Sequence, residues 1–155
     1  MPNRLQDEIK QTKPFARPGD EALLSILRTA SVLDHAFNEL LRPFGLTRTQ
    51  YNVLRILQGA GAAGLCGREI GERLVSPVPD VSRLLDRMAD TGLVAKERDS
   101  VDRRHVTTRI TAKGRRLLAQ ATPALMEAEG GRVDRLSARS IKTLIEALEL
   151  IRESS

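Results

Sequence analysis

The sequence predicts a mostly α-helical chain that carries one small β-hairpin. Over most of its 155 residues, apolar side chains recur at spacings of three and four, which is the period of an amphipathic helix. Between residues 93 and 111 the period changes to two, and β-branched residues flank the polar stretch DSVDRR. Aromatic residues make up only 3% of the chain, so aliphatic side chains must form the core. The length suits one domain, or one lobe with a small extension.

The N-terminal part predicts a polar arm and then a long helix. Residues 1–19 are polar, and Pro18 is expected to act as a helix breaker. Asp20 is expected to open the helix, which should end before Pro43 or at Gly45. Its apolar positions, spaced by three and four, include Leu23, Ile26, Leu33 and Phe37.

A second helix is predicted to follow Thr47, because Thr47 and Gln50 have the spacing of a capping box. It should run to Gly59. The next stretch, GAGAAG, matches the GxGxxG pattern of dinucleotide sites, but such sites need a strand before the glycines. Here a capped helix precedes them, so the stretch is interpreted as a loop.

The middle of the chain predicts a helix-turn-helix. REIGERL should form a short helix, and a second helix is expected to begin between Ser76 and Pro79. Gly92 should end that helix, with Leu93 as the apolar contact that follows a glycine cap. The predicted buried positions of the second helix are Val81, Leu84, Leu85 and Met88.

Two further helices are predicted after the hairpin. The first starts at TAKG, and Pro123 should kink or divide it. Ser137 is expected to cap the last helix. The apolar face of that last helix comprises Ile141, Leu144, Ile145, Leu148 and Ile151.

The order helix, short helix, turn, helix and hairpin is that of a winged helix-turn-helix, and the charge distribution agrees with a polyanionic partner. Residues 66–116 hold 12 Lys and Arg against 8 Asp and Glu, whereas the rest of the chain holds 13 against 12. Most of the net charge of +5 therefore lies in about one third of the chain.

The second helix of such a unit lies in the major groove of DNA and presents its N-terminal residues to base edges. Arginine can bind guanine bidentately, and serine can reach several partners. Asp80 would repel phosphate unless it accepts a hydrogen bond from cytosine. The outward residues predicted to contact DNA are Asp80, Ser82, Arg83 and Arg87, with Asp86 on the same face.

The hairpin tip holds two adjacent arginines, Arg103 and Arg104, which are expected to reach the neighbouring minor groove or its phosphates. Asp99 and Asp102 should order the tip by pairing with one of these arginines. Double-stranded DNA is thus the predicted partner.

The helices on both sides of the winged unit have apolar faces wider than a small lobe can cover, which predicts a two-fold homodimer. Such a dimer would place two recognition helices ~34 Å apart on a pseudo-palindromic operator. We expect residues 1–19 to form an arm, residues 20–45 and 112–155 a helical dimerisation lobe, and residues 46–111 the DNA-binding lobe. The predicted dimer contacts are Leu23, Ile26, Leu144, Leu148 and Ile151.

Three stretches, LRPFGLTRTQYNVLRIL, VSRLLDRMADTGLVAKERD and DRRHVTTRITAKG, resemble the multiple-antibiotic-resistance regulator (MarR) family of bacterial transcription factors. The resemblance covers residues 20–152. It implies that the first and the last two helices interdigitate in a dimer, that Arg104 enters the minor groove, and that Asp102 orders it. It also implies that Ser82 and Arg83 contact DNA, and that a small effector, which the sequence does not identify, binds between the lobes.

Two alternatives remain open at the sequence level. The single cysteine, Cys66, allows a thiol redox sensor but no intrachain disulfide, and a winged helix can also serve as a scaffold that binds protein. His35 is expected in a core or pocket, and His105 in solvent or beside a phosphate. No catalytic or metal-ligand set and no cofactor motif is recognised, so an enzyme is not expected. Without an apolar run or signal, a cytoplasmic location with no membrane contact is expected.

Overall fold

The computed structural model describes residues 5–153, and the chain divides into two compact units at Thr49 and Gln50. The first unit contains α1 (Leu5–Glu8) and α2 (Pro18–Leu41), and a 3₁₀ turn at Arg42–Phe44 follows α2. Residues 1–4 of the predicted arm and residues 154–155 of the predicted dimerisation lobe lie outside the described residues.

Helix α2 begins two residues earlier than predicted. Pro18, the expected breaker, is its first residue, and Asp20 lies within the first turn. A proline is accepted at this position because the N–H that it lacks would have no partner in the helix. The Arg17 guanidinium, on the residue before the helix, contacts the Asp20 carboxylate at 2.7 Å. The predicted end is confirmed, since Gly45 follows the 3₁₀ turn with a φ of 68°.

The remaining elements confirm a mostly α-helical chain with a small antiparallel sheet. Helix α3 continues from the first unit into the second, and the other elements belong to the second unit. In chain order they are α3 (Arg48–Ala60), β1 (Leu65–Cys66), α4 (Gly67–Arg73), α5 (Val81–Asp90), β2 (Val94–Arg98), β3 (Val106–Ile110), α6 (Ala112–Val133) and α7 (Ala138–Glu153). None of the helices within residues 5–153 combines the length and the hydropathy that a membrane-spanning segment requires.

The predicted hairpin is confirmed as β2 and β3, and the sequence analysis missed a third strand, β1, which pairs with β3 to give the order β1-β3-β2. Strand β1 has two residues, with Leu65 opposite Thr108, and is too short to show an alternating pattern. Gly64 permits this pairing, because a Cβ there would lie 2.6 Å from the Thr108 carbonyl oxygen. Gly64, the last residue of the GAGAAG stretch, therefore lies against the backbone of Thr108. Its φ of 66° also favours glycine.

The predicted core face of α5 is largely confirmed. Leu85 and Met88 are buried, whereas Val81 and Leu84 are half-buried. Other fully buried side chains of the second unit include Val53, Leu54, Leu57 and Ile70, together with the polar Thr108. The core is therefore aliphatic, as the scarcity of aromatic residues indicates.

Helix α6 is continuous through Pro123, so the expected division does not occur. Proline removes one N–H, which would have bonded to the Ala119 carbonyl four residues earlier. The Leu118 carbonyl, which precedes that of Ala119, accepts a hydrogen bond from the Thr122 hydroxyl at 2.7 Å. Burial of Ala121 and Leu125 on either side of the proline stabilises the helix at this point.

A joint at Thr111 connects the end of α5, the end of β3 and the start of α6. The Thr111 backbone N–H donates to the Leu93 carbonyl at 3.2 Å, and its hydroxyl lies 2.6 Å from the Gly92 carbonyl oxygen. The same hydroxyl oxygen accepts the Gly114 N–H at 3.0 Å and so caps α6. A Cβ at Gly114 would lie 2.3 Å from the Leu93 carbonyl oxygen, so this approach requires glycine.

Replacing Gly114 with alanine should destabilise the fold, because the new methyl group would push α6 away from Leu93. We expect Gly114→Ala to lower the free energy of unfolding by ~1–3 kcal/mol in denaturant titrations. The matched control is Gly131→Ala in the same helix, where a Cβ meets nothing within 4 Å. This control should raise stability by ~0.5–1 kcal/mol. Equal effects of the two substitutions would contradict the close approach.

Candidate nucleic-acid interface

Helix α5, the predicted recognition helix, starts later than expected. Asp80 is its N-cap, and Asp80 Oδ1 accepts the Arg83 backbone N–H at 2.9 Å. The predicted start between Ser76 and Pro79 was wrong. Pro79 disfavours helical geometry in the residue before it, and a carboxylate is a strong cap for the next turn. Asp80 is therefore exposed at the helix end, with its charge committed to the helix backbone.

The outward face of α5 presents two arginines that are not paired with any carboxylate of residues 5–153. Ser82, Arg83, Asp86 and Arg87 are all exposed. Asp86 forms an ion pair with Lys96 on β2, which leaves the two arginines as the free charges of this face. Within residues 5–153, neither Arg83 nor Arg87 takes part in an ion pair.

The hairpin tip, residues 99–105, is organised by two aspartates. Asp102 Oδ1 accepts the backbone N–H of Arg104 at 3.1 Å and its Nε at 3.3 Å, so the predicted pairing of Asp102 with an arginine is observed. Asp99 does not pair with an arginine, contrary to expectation. Its Oδ1 accepts the backbone N–H groups of Val101 at 2.7 Å and Asp102 at 2.9 Å, because a carboxylate at the start of a turn reaches the amides just ahead.

The hydrogen bonds at the tip hold the pKa of Asp99 below its ordinary value. The Asp102 N–H makes the largest contribution, the Val101 N–H the next, and His105 adds a smaller favourable charge interaction. Ionised Asp99 thus fixes the turn, and Asp102 orients Arg104 without covering it, since the Arg104 side chain remains 94% exposed. Arg103 is exposed as well.

The two histidines differ in how well the sequence predicted them. His105 is exposed at the hairpin tip, as predicted. His35 is exposed on α2, so its expected place in a core or pocket was wrong for a single chain. Helical spacing indicates which residues share a face but does not show which flank of that face is covered. In the part of the chain described here, no three His, Cys, Asp or Glu side chains lie together as a metal site.

Cys66 caps α4, a role that the sequence prediction missed. The Cys66 N–H donates to Glu69 Oε2 at 2.8 Å, and the Cys66 sulfur accepts the Glu69 backbone N–H. The hydrogen bond from the Cys66 N–H to the carboxylate makes the largest contribution to lowering the pKa of Glu69, and the Cys66 side chain makes the next. The spacing of Cys66 and Glu69 matches a capping box, which was a usable signal, although serine or threonine is the usual cap.

The residues predicted to form the dimer contact lie on exposed apolar surface of a single chain. On α2, Leu23 is 51% exposed and Ile26 is half-buried. On α7, Leu144 and Ile151 are 47% and 43% exposed, Leu148 is half-buried, and no residue is buried. Each helix thus exposes apolar side chains at the predicted positions, which is unusual for a surface in contact with water only.

Comparison with known proteins agrees with this geometry. A model of the MarR family matches residues 44–105. The chain is 32% identical over 101 residues to the transcriptional regulator HosA of Escherichia coli O157:H7, which covers 65% of this chain and 73% of HosA. It is 28% identical over 134 residues to the HTH-type transcriptional repressor Mb2911 of Mycobacterium bovis, which covers 83% of this chain and 95% of the relative.

Two solved structures extend the similarity to the fold. A MarR transcription factor from Planctomyces limnophilus superimposes with a TM-score of 0.67 and 31% identity, covering 88% of this chain and 99% of that one. The M. tuberculosis regulator MosR in complex with DNA gives a TM-score of 0.64 and 28% identity, covering 84% and 98%.

A winged helix-turn-helix with exposed arginines on its second helix and at its hairpin tip is typical of one class, the DNA-binding transcriptional regulators. Within that class, the chain belongs to the MarR family.

The order of the hairpin tip should depend on pH through Asp99. Because the folded-state pKa is lowered, the ionised carboxylate stabilises the turn above the unfolded-state pKa, and this contribution is lost as pH falls through the folded-state value. The amide proton shifts of Val101 and Asp102 should therefore titrate with a midpoint below ~3.9, the ordinary aspartate pKa. Asp99→Asn is the control and should abolish this titration. A midpoint at or above the ordinary value would contradict the two hydrogen bonds.

Proposed function

We propose that the chain is a homodimeric transcriptional repressor that binds a pseudo-palindromic operator in double-stranded DNA and responds to a small effector. The observation that supports this proposal is that two exposed cationic elements occur in the same unit. Arg83 and Arg87 lie on α5, and Arg103 and Arg104 lie on the hairpin, here called the wing (residues 94–110).

The proposed roles follow from the chemistry of each group. In the major groove, Arg83 or Arg87 can donate two hydrogen bonds to a guanine edge, and Ser82 can contact a base or a phosphate. Arg104, oriented by Asp102, is suited to the minor groove, where negative potential attracts guanidinium groups. Asp80 is the exception among these groups. Its position as the helix cap places a carboxylate beside the groove, which should disfavour nearby phosphate.

The proposed dimer assigns residues 20–45 and 112–155 to dimerisation and residues 46–111 to DNA binding. Exposed apolar side chains on both α2 and α7 support it, because a second chain would remove them from water. A dimer bound at a promoter blocks other proteins from that DNA, and the relative Mb2911 is named a repressor. The chain would act in the cytoplasm, where bacterial DNA is found. Cys66 serves as a helix cap, and no observation favours a redox role for it.

Arg104→Ala should weaken DNA binding without unfolding the protein, because an exposed tip side chain contributes little to the core. Loss of one phosphate-type contact should lower the slope of log affinity against log salt by about one. The control is Arg116→Ala, which removes the same charge from an exposed position on α6. If both variants keep the wild-type affinity and slope in a shift assay, the wing does not touch DNA. That result would favour a scaffold that binds protein.

Arg83→Ala should separate base contact from phosphate contact. If Arg83 binds a base bidentately, the substitution should cost ~1–3 kcal/mol on the operator and much less on random duplex. The side chain does not hold the helix start, since the bond to Asp80 uses the backbone N–H. Equal losses on operator and random duplex would make Arg83 a phosphate anchor and refute its role in specificity.

Leu148→Glu should dissociate the proposed dimer. An unpaired charge placed in an apolar interface costs several kcal/mol, about 3–5 for broken buried pairs. We expect monomers or aggregates in sedimentation and loss of operator binding, because each half-site contact relies on the second for affinity. Thr143→Glu adds the same charge on the opposite side of α7 and should leave a dimer. A stable Leu148→Glu dimer that still binds the operator would show that the chain pairs through another surface.

A further inference from the structure

We infer that the second unit holds a binding site for a phosphorylated small molecule, in two cavities that both border Gln58. We call it the Gln58 site. Its polar end is formed by Arg109, Arg115 and Gln58, and its less polar end lies along α6 beside Arg55. All of these residues belong to the second unit.

The polar cavity has a volume of about 340 Å³. Its lining residues are Gln58, Gly61, Ala62, Arg109, Ile110 and Arg115. Two guanidinium groups and one amide therefore border it, and none of these lining residues is a carboxylate. Arg109 is paired with Glu97, whereas Arg115 forms no ion pair within residues 5–153, so this cavity keeps a net positive edge that favours an anionic ligand.

The two guanidinium groups are positioned but not saturated. Arg109 Nε donates to the Ala62 carbonyl at 2.8 Å, and Arg109 Nη1 contacts Glu97 Oε2 at 2.7 Å. Arg115 Nη1 donates to the Ile110 carbonyl at 3.3 Å. A guanidinium carries about five N–H donors, so both arginines keep donors for a ligand. These bonds hold each side chain in place, which reduces the entropy lost on binding.

The number of donors favours a phosphate monoester over a carboxylate. A carboxylate is satisfied by one bidentate arginine, whereas a phosphate monoester carries nearly two charges and three terminal oxygens. Two guanidinium groups and the Gln58 amide match those three oxygens. Glu97 neutralises part of the Arg109 charge, so the excess of N–H donors, rather than charge alone, favours a phosphate monoester.

The second cavity can hold the organic part of such a ligand. Its volume is about 480 Å³, within the range of ~300–1,000 Å³ typical of ligand pockets. Its lining is formed by Arg55, Gln58, Gly59, Leu118, Ala119, Thr122 and Pro123. The walls combine apolar side chains with the Thr122 hydroxyl, which suits the organic part of a ligand.

Phenyl phosphate is a suitable probe, because it joins a phosphate monoester to an apolar ring. Isothermal titration of the full chain without DNA should show binding to the wild type. Arg115→Gln should weaken it at least about tenfold, the loss expected for a charge-assisted hydrogen bond. The control is Arg116→Gln, an exposed neighbour on the same helix that lines neither cavity, which should bind like the wild type.

Two further measurements keep the test decisive. Gln58→Ala should also weaken binding. Because this substitution removes no side-chain hydrogen bond among residues 5–153, its effect can be interpreted even if Arg115→Gln fails to fold. Inorganic phosphate should bind more weakly than phenyl phosphate because it fills the polar end only. Benzoate should bind more weakly because its carboxylate has two oxygens and one charge, against three terminal oxygens and nearly two charges for the phosphate monoester.

Several results would overturn the inference. Absence of phenyl phosphate binding would do so, as would equal losses in Arg115→Gln and Arg116→Gln, which would indicate general attraction to a basic chain. Benzoate binding as tightly as phenyl phosphate would show that the ligand class is a carboxylate. If Arg115→Gln instead lowers affinity for random duplex DNA, the arginines serve the nucleic acid. Because the titration contains no DNA, its failure is distinct from failure of the proposed function.

Discussion

The joint at Thr111 fixes the recognition helix, the wing and α6 to one another. The Thr111 hydroxyl lies within hydrogen-bond distance of the Gly92 carbonyl, and its oxygen accepts the Gly114 N–H and so caps α6. The Thr111 backbone N–H donates to the Leu93 carbonyl. The Leu93 N–H in turn bonds to the Met88 carbonyl and closes the end of α5. A shift of the wing would therefore break bonds at the end of the recognition helix. This coupling lets two exposed cationic elements act as one rigid surface.

Charge pairing on this surface selects which arginines remain available. Asp86 pairs with Lys96, Glu97 with Arg109, and Asp102 with Arg104, and all three pairs are partly exposed. Exposed pairs contribute little stability, typically ~0–1 kcal/mol, so their main effect is to orient side chains. Within residues 5–153, the two arginines of α5 form no such pair. Arg109 on β3 and Arg115 on α6 are likewise oriented, here by hydrogen bonds to backbone carbonyl groups, and both keep N–H donors for a further ligand.

The sequence predicted those features that depend on local periodicity and capping. The glycine end of α5, with a φ of 76° at Gly92, and the Ser137 cap of α7 follow from such rules, and both are present. The predicted start of α5 was wrong because Pro77, Pro79 and Asp80 are all signals for a helix start. Of these three, only Asp80 has a side chain that accepts a hydrogen bond from the first turn. Strand β1 was missed because its pairing depends on distant Thr108. The exposure of His35 depends on packing that periodicity does not encode, and the arginines around Gln58 are brought together by the fold alone.

A single chain leaves the exposed apolar side chains of α2 and α7 unexplained. The proposed two-fold partner would cover them and would require an operator with two-fold symmetry. Selection of bound sequences from a random duplex library by the wild-type chain tests this claim most directly. The account predicts enrichment of an inverted repeat whose half-sites are centred about 10 base pairs apart, or a multiple of one helical turn. Enrichment of a single asymmetric half-site, or of no sequence, would contradict it.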